Sequence, residues 1–280
     1  MEKKIRVTLP KRIAEILESD IEEFFIKKNT LLNYLYEEYA KENYTRVEVE
    51  VDKSETSVIQ FNLNKKNLRG YYNFLEENKI QNESEFFREI LSDYSENCKK
   101  KRELFLFKEK VERINDSIAE RKLIKVNFRD GKSIEVEPYL IESSKLEVAN
   151  YLFCYNLKEK LWKNYRIKYI DSVYTKNSNF KIRDIDFVQR MKEDFDPFIS
   201  FGKKVKIRLT NSGENLFKEL QTNRPKVIQK KLNEYILECS EEKAKRYFSF
   251  FLDEVEILEP IELREWFKNK YIKALEQYKK

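Results

Sequence analysis

The 280-residue chain contains no histidine. This absence removes the commonest general base and the commonest metal ligand at once. Glycine is nearly as scarce. Gly70, Gly131, Gly202 and Gly213 each stand alone, so no Gly-rich loop is present to cradle a phosphate. The three cysteines, Cys98, Cys154 and Cys239, are an odd number without CxxC spacing. They support neither a disulfide framework nor a zinc site and are read as free structural thiols. Long apolar runs are missing too: stretches such as Phe248–Leu252 span a few residues, where a membrane helix needs about 20. Residues Met1–Pro10 are charged and alternating, unlike a signal peptide, so the cytoplasm is the expected location. With 50 acidic residues, no carboxylate pair stands out as catalytic. The expectation is a protein that is not an enzyme and has neither cofactor nor metal.

What is present is a globular composition, 41% apolar and 38% charged, in a chain long enough for two or three domains. The net charge of +6 and the pI near 8.8 suit a nucleic-acid partner, and where that surplus sits matters more than its size.

Residues 1–97 carry one pattern twice. Ile5, Val7 and Leu9 alternate with Lys4, Arg6 and Thr8, a strand with one apolar and one polar face, stopped by Pro10. Apolar residues at helical spacing follow at Ile13, Ile16, Leu17, Ile21, Phe24 and Phe25. Lys27-Lys28-Asn29-Thr30 then offers a cap, and Leu31, Leu32, Leu35 and Tyr39 mark a second helix. The order returns with Ile59, Phe61 and Leu63 alternating with Val58, Gln60, Asn62 and Asn64. A stripe of Leu68, Tyr71, Tyr72 and Leu75 follows, then a cap within Asn82-Glu83-Ser84-Glu85 and a helix with Phe86, Phe87, Ile90, Leu91 and Tyr94. Ile5 matches Ile59 and Leu32 matches Phe86 at one offset of 54 positions, a repeat of pattern rather than of identity.

This strand–helix–helix order resembles the ribbon-helix-helix family of DNA-binding proteins, in which strands from two copies pair into an antiparallel ribbon that enters the major groove. One copy alone has an unpaired edge and too little core, and two tandem copies can solve both problems within one chain. The resemblance implies that the outward residues are the readers: Lys4, Arg6 and Thr8 from one strand, Gln60, Asn62 and Asn64 from the other. Lys or Arg suits guanine edges, and Asn or Gln suits adenine. Backbone N–H groups near Thr30 and Ser84 would hold phosphates. The same outward polarity is what any half-exposed strand shows, and lysine commonly protects an edge.

Residues 98–122 are expected to form a linker helix with Leu104, Phe107, Val111, Ile114 and Ile118 inward, opened by the basic run Lys99-Lys100-Lys101-Arg102. Within an expected domain at 123–180 the period is two from Leu123 to Tyr174, with a hairpin signal at Asp130-Gly131. The five strands expected are Leu123–Phe128, Ser133–Ile141, Val148–Asn156, Leu161–Lys168 and Ile170–Thr175, which suits a small barrel. The segment resembles the WYL domain of bacterial regulators. The likeness rests on Ile118-Ala119-Glu120-Arg121 leading into Ile124–Phe128, on Val136-Glu137-Pro138-Tyr139-Leu140, and on Lys163–Ile170 as the closing basic strand. Asn150-Tyr151-Leu152 stands where the family has Trp-Tyr-Leu, and Tyr169 replaces the last arginine. The resemblance implies an SH3/Sm-like barrel that senses a nucleotide-like or single-stranded nucleic-acid ligand, a role that passes here to Tyr151, Tyr155, Lys163 and Arg166. Bases stack on rings and phosphate takes the guanidinium fork. A tyrosine on a barrel strand is also ordinary core, whereas an unpaired arginine is costly to bury, so Arg166 is the stronger candidate.

Residues 181–280 begin with a linker and short helix ended near Pro197. Strand Lys204–Thr210, helix Ser212–Leu220, paired strands within Val227–Cys239, helix Glu241–Leu252, strand Glu254–Leu258 and helix Ile261–Tyr278 follow. A β-α-β-β-α-β order is ferredoxin-like. The stretch Val255–Arg264 resembles the extension that accompanies WYL domains, which implies dimerisation or ligand gating. The expected fold is therefore α+β: a tandem ribbon-helix-helix pair, a small WYL barrel and a ferredoxin-like C-terminal domain. A homodimer would carry two reading heads to two half-sites. Two functions fit. One is a WYL-family regulator that reads operator DNA. The other is a single-stranded RNA-binding accessory protein that stimulates a type VI CRISPR effector nuclease. The ribbon favours DNA, since the deep major groove of RNA excludes it; the altered WYL motif favours the accessory.

Overall fold

The structure, a computed structural model, describes residues 3–41, 55–144 and 147–279. Residues 42–54, within the first expected segment, lie outside the described residues, as do Met1, Glu2, 145–146 and Lys280. Among the described residues the architecture is mixed α+β with three antiparallel sheets. The chain divides into two compact units, Met1–Ser143 with Val148–Leu152 and Tyr165–Lys181, and Ser144–Glu147 with Phe153–Asn164 and Ile182–Lys280.

In the first unit β1 (Lys4–Pro10) leads into α1 (Lys11–Glu23) and α2 (Lys28–Lys41), and β2 (Thr56–Asn62) into α3 (Lys65–Glu77) and α4 (Glu83–Glu96). The two strands pair with each other, antiparallel, within the one chain. Their alternation decides which face goes in. Ile5, Val7, Leu9, Ile59, Phe61 and Leu63 are buried in one core with Leu17, Leu35, Tyr71 and Phe87 of the four helices. Burying each such side chain is worth about 1.5–3 kcal/mol. The strands pack across the halves: β1 lies against α4 as well as α1, and β2 against α1 and α2.

The halves are related by a pseudo-twofold. Helices α1 and α3 open 54 positions apart, at Lys11 and Lys65. At that offset residue 6 is equivalent to residue 60, and Arg6 and Gln60 are ladder partners, so the axis passes through their rung. The equivalent carbonyls of Thr8 and Asn62 each accept from a side chain of a second helix, although the donors stand one position out of the 54-residue register. Asn33 of α2 donates Nδ2 to the Asn62 carbonyl at 2.9 Å, and Arg88 of α4 donates Nε to the carbonyl of Thr8, the position equivalent to Asn62, also at 2.9 Å.

The linker, expected as one helix, is two: α5 (Lys99–Leu106) and α6 (Lys108–Ala119). The break falls at Phe107, which leaves helical geometry (φ −109°, ψ 21°) while its buried ring packs edge-on against Phe24 at 5.9 Å. An apolar residue at helical spacing carries no sign of such a break. Arg102, from the basic run that opens the linker helix, is turned inward. Its Nε and one terminal nitrogen donate to the buried Asp20 carboxylate at 2.6 and 3.0 Å, and Tyr94 donates its hydroxyl to the same group at 2.7 Å.

Strands β3 (Lys122–Phe128), β4 (Ser133–Ser144), β5 (Ala149–Asn156), β6 (Leu161–Arg166) and β7 (Ile170–Asn179) form a sheet in the order β6-β5-β4-β3-β7. Strand β6 ends two residues earlier than expected, and Ile167–Tyr169 makes a 3₁₀ turn instead. That turn joins the two ends of the strand order. Laid flat, five strands would hold β6 and β7 about 19 Å apart, but a 3₁₀ turn from Arg166 to Ile170 advances only about 8 Å. The sheet must curl on itself.

In the second unit α7 (Ile185–Glu193) precedes β8 (Lys204–Leu209), α8 (Asn211–Glu219), β9 (Lys226–Lys231), β10 (Glu234–Glu238), α9 (Glu241–Phe248), β11 (Val255–Glu259) and α10 (Ile261–Gln277). The sheet order is β11-β8-β10-β9 with every neighbouring pair antiparallel. Strands β8 and β9 are therefore parallel, with β10 inserted between them. Val205, Ile207, Leu209, Leu237 and Ile257 form the buried face under Phe217, Phe248, Phe251, Leu263 and Phe267. Gly213 lets α8 approach closely: a Cβ there would stand 2.3 Å from the Glu254 carbonyl oxygen. Among the described residues no helix is long and apolar enough to cross a membrane.

Candidate nucleic-acid interface

Along the ribbon's outward face, before the terminal Pro10–Thr56 pair, stand three rungs: Lys4 opposite Asn62, Arg6 opposite Gln60, and Thr8 opposite Val58. Five of these side chains are exposed and Gln60 is half-buried. The flanking cations are engaged, Lys3 with Glu83 at 2.8 Å and Lys11 with Glu55 at 3.1 Å. Lys4 and Arg6 have no ion-pair partner among the described residues. Two unneutralised cations on a rigid strand, beside two amides, present donors and acceptors at fixed spacing. A ribbon of this width fits the roughly 12 Å major groove of B-form DNA.

Asn64, expected as a sixth reader, lies beyond the last rung. Its Oδ1 accepts from the Asn67 N–H at 2.8 Å and caps α3, while its own N–H donates to Asn33 Oδ1 at 2.8 Å. It is equivalent to Pro10, which precedes α1, and β2 ends two residues before it, at Asn62. Val58 takes the outward place instead.

The two helix starts expected to hold phosphate differ. At α4 the Ser84 and Glu85 N–H groups already donate to Asn82 Oδ1 at 3.1 and 3.2 Å, and Glu83 and Glu85 place negative charge in the first turn. Helix α2 has no acidic residue in its first turn and opens on exposed Lys27 and Lys28, with Thr30 inside the helix rather than at its cap. Positive helix-end potential thus adds to basic side chains at α2 and is offset by carboxylates at α4.

Elsewhere in the first unit the structure brings Arg166 and Tyr151 together. Arg166 Nε donates to the Tyr151 hydroxyl at 3.0 Å, and the guanidinium lies 5.6 Å from the ring centroid. Tyr151 is only 5% exposed, so its face is not open for stacking, and half-buried Arg166 is the member of the pair nearer to solvent. Next to it, Asn150 is fully buried where the WYL pattern has tryptophan. Its N–H and Nδ2 donate to Glu103 Oε2 at 3.0 and 2.6 Å, and its Oδ1 accepts from Ser143. Glu103 also accepts from the Lys168 N–H at 3.2 Å, and burial pushes its carboxyl above the usual range despite these donors. The asparagine thus ties β5 to α5, a use of this position that composition does not show.

In the second unit Tyr155 and Lys163 have other companions. Lys163 pairs with Glu159 at 2.8 Å. Tyr155 is half-exposed, lies edge-on to Trp162 at 5.3 Å and has the Arg183 guanidinium 4.1 Å from its ring centroid. Trp162 stacks on buried Phe153 at 5.0 Å. Sequence reasoning missed Arg183 and Trp162. Arg183 lies in a segment without periodicity, and only the hairpin across residues 157–160 sets Trp162 beside Tyr155. Cys154 and Cys239 are buried, and burial pushes the Cys239 thiol up to about 12. Among the described residues no three His, Cys, Asp or Glu side chains gather into a metal site.

No family model and no curated protein matches this chain. Its fold is shared with a solved CRISPR Cas-related protein. That crystal structure aligns with all of this chain and 95% of its own, with a TM-score of 0.74 at 16% identity. A proteasome accessory factor B/C from Arthrobacter aurescens aligns with 99% of this chain and 50% of its own at 13% identity, with a TM-score of only 0.33.

Proposed function

We propose that the chain is a non-catalytic nucleic-acid-binding protein whose first 97 residues form an intramolecular ribbon-helix-helix unit that docks in the major groove of duplex DNA. One observation carries this reading: Lys4 and Arg6, free of carboxylate partners among the described residues, stand on the exposed face of a two-stranded ribbon opposite Asn62 and Gln60. Cations give affinity through phosphates and guanine edges, and amides discriminate adenine. The curled five-stranded sheet is read as the WYL barrel, with Arg166 as the group that meets a phosphorylated ligand, and the β11-β8-β10-β9 sheet as a ferredoxin-like domain.

A second reading, a single-stranded RNA-binding accessory of a CRISPR effector, is favoured by the description of the solved neighbour and by the Tyr155–Trp162–Arg183 cluster, which has the stacking and cationic chemistry of single-strand sites. Binding to duplex DNA, single-stranded DNA and single-stranded RNA across a salt series separates the two. Under the first reading the duplex is preferred, affinity falls steeply with salt, and Arg6→Ala/Gln60→Ala removes the preference while Arg166→Ala leaves it intact. Tight RNA binding that ignores the ribbon variant would replace the first reading by the second.

A further inference from the structure

We infer that the ribbon reads a duplex half-site without inverted-repeat symmetry. The inference rests on the ribbon being the DNA-reading element and adds what it recognises. When two identical chains pair their strands, the twofold through the ribbon imposes a palindromic target, because each rung recurs on the far side of the axis with the same chemistry. Here the axis is preserved in the backbone and broken in the side chains. It passes through the Arg6–Gln60 rung. Position 4 is equivalent to 58 and position 8 to 62, so lysine is matched with valine and threonine with asparagine.

One end of the ribbon therefore offers an ammonium and a carboxamide, Lys4 with Asn62. The other offers a hydroxyl and methyl groups, Thr8 with Val58. Strand β1 supplies both cations and β2 none. The Lys4–Asn62 end suits purine N7 and O6 or N6 atoms, and the Val58 end suits the thymine C5 methyl. From Lys4 to Thr8 the strand advances about 13 Å, and base pairs stack every 3.4 Å or so, so the three rungs cover about four base steps. The apolar underside does not share this asymmetry: Ile5, Val7 and Leu9 match Ile59, Phe61 and Leu63 as buried residues. Side chains on the outer face can differ between the two strands because they support no core.

The experiment is selection of bound duplexes from a randomised library by the full chain, followed by sequencing. A motif of four to five base pairs is expected, purine-rich at one end and thymine-bearing at the other, with no inverted repeat within it. If the protein dimerises, the half-site recurs about the dimer axis at a longer spacing, and only symmetry within a half-site is scored. Lys4→Val is expected to relax the motif at its purine end alone, at a cost of about tenfold in affinity for the selected site. The triple variant Thr8→Asn/Val58→Lys/Gln60→Arg gives both strands the same outward residues and is expected to enrich an inverted repeat. Circular dichroism of each variant checks that the fold is kept. A palindromic half-site from the wild type, or an unchanged asymmetric motif from the triple variant, overturns the inference while leaving duplex reading in place. No retention of the unselected duplex pool at low salt removes the DNA reading itself, and the inference with it.

Discussion

The buried ion pair between α1 and α5 offers the sharpest test of how the first unit is held together. Asp20 is 1% exposed and accepts two bonds from Arg102 and one from Tyr94, and the Arg102 side chain is 10% exposed. Asp20→Asn keeps the shape and one acceptor but leaves a guanidinium buried without its counter-charge. Stranding one partner of a buried pair costs about 3–5 kcal/mol. Because the amide retains one hydrogen bond, the lower end, about 3 kcal/mol, is expected. Arg102→Met strands the carboxylate and should cost a similar amount. Asp20→Leu with Arg102→Met removes both charges together, so this double variant should be at least about 2 kcal/mol more stable than the losses of Asp20→Leu and Arg102→Met, each measured alone, added together. The assay is urea unfolding, which does not screen charge, followed by far-ultraviolet circular dichroism and by tryptophan fluorescence. Trp162 and Trp266 both belong to the second unit, so fluorescence follows that unit while the dichroism also follows the helices of the first. The variants should shift the dichroism transition. A loss below about 1 kcal/mol for Asp20→Asn, or strict additivity in the double variant, would refute the pair as a determinant of stability.

Other outcomes follow from single side chains. Burial, with the nearby Arg129 charge, holds the Lys110 ammonium down to about 8, beneath the ordinary lysine value of 10.5. Between these values the unfolded chain binds the proton and the folded chain does not, so this group makes stability rise with pH across that window, by up to about 3 kcal/mol. Lys110→Met should abolish that rise and stabilise the protein by about 2 kcal/mol at pH 7, the difference left after its bond to the Ile170 carbonyl is lost, as read from urea midpoints at pH 7, 9 and 10.5. Gly213→Ala should destabilise the second unit by about 2 kcal/mol or more through its clash with the Glu254 carbonyl, opposite in sign to the gain of roughly 1 kcal/mol that helix propensity alone predicts; tryptophan fluorescence reads it. Asn33→Ala leaves the Asn62 carbonyl and the Asn64 N–H without their side-chain partner, at a cost of about 2 kcal/mol, and should speed hydrogen exchange at the Asn64 amide.

Much of the candidate interface was legible in the chain because alternation is a local property. Lys4, Arg6 and Thr8 face out since Ile5, Val7 and Leu9 must face in, and period two allows no other arrangement. The second role of Asn64 was not legible because alternation has no end mark; only its bond to the Asn67 N–H shows that the helix has begun. The strands between Leu123 and Asn156 were visible for the same local reason, whereas the short 3₁₀ turn after Arg166 was not. Arg102 and Glu103, adjacent on α5, illustrate a deeper limit. Their charge predicts solvent, and both are buried because acceptors and donors distant in sequence, Asp20 for one and Asn150 for the other, make burial affordable.

By itself the sequence determined the repeat, the inward faces of both ribbon strands and the change from helical to strand period at residue 123. Each of these follows from spacing between neighbours, and spacing is written in order along the chain. Only the tertiary structure decided that β1 and β2 pair with each other, at the register that sets Arg6 opposite Gln60. That register depends on how two helical pairs fill one core, and no stretch of sequence contains both sides of it. The axis of the ribbon, and with it the mismatch of Lys4 with Val58 across that axis, exists only once the two halves are folded together.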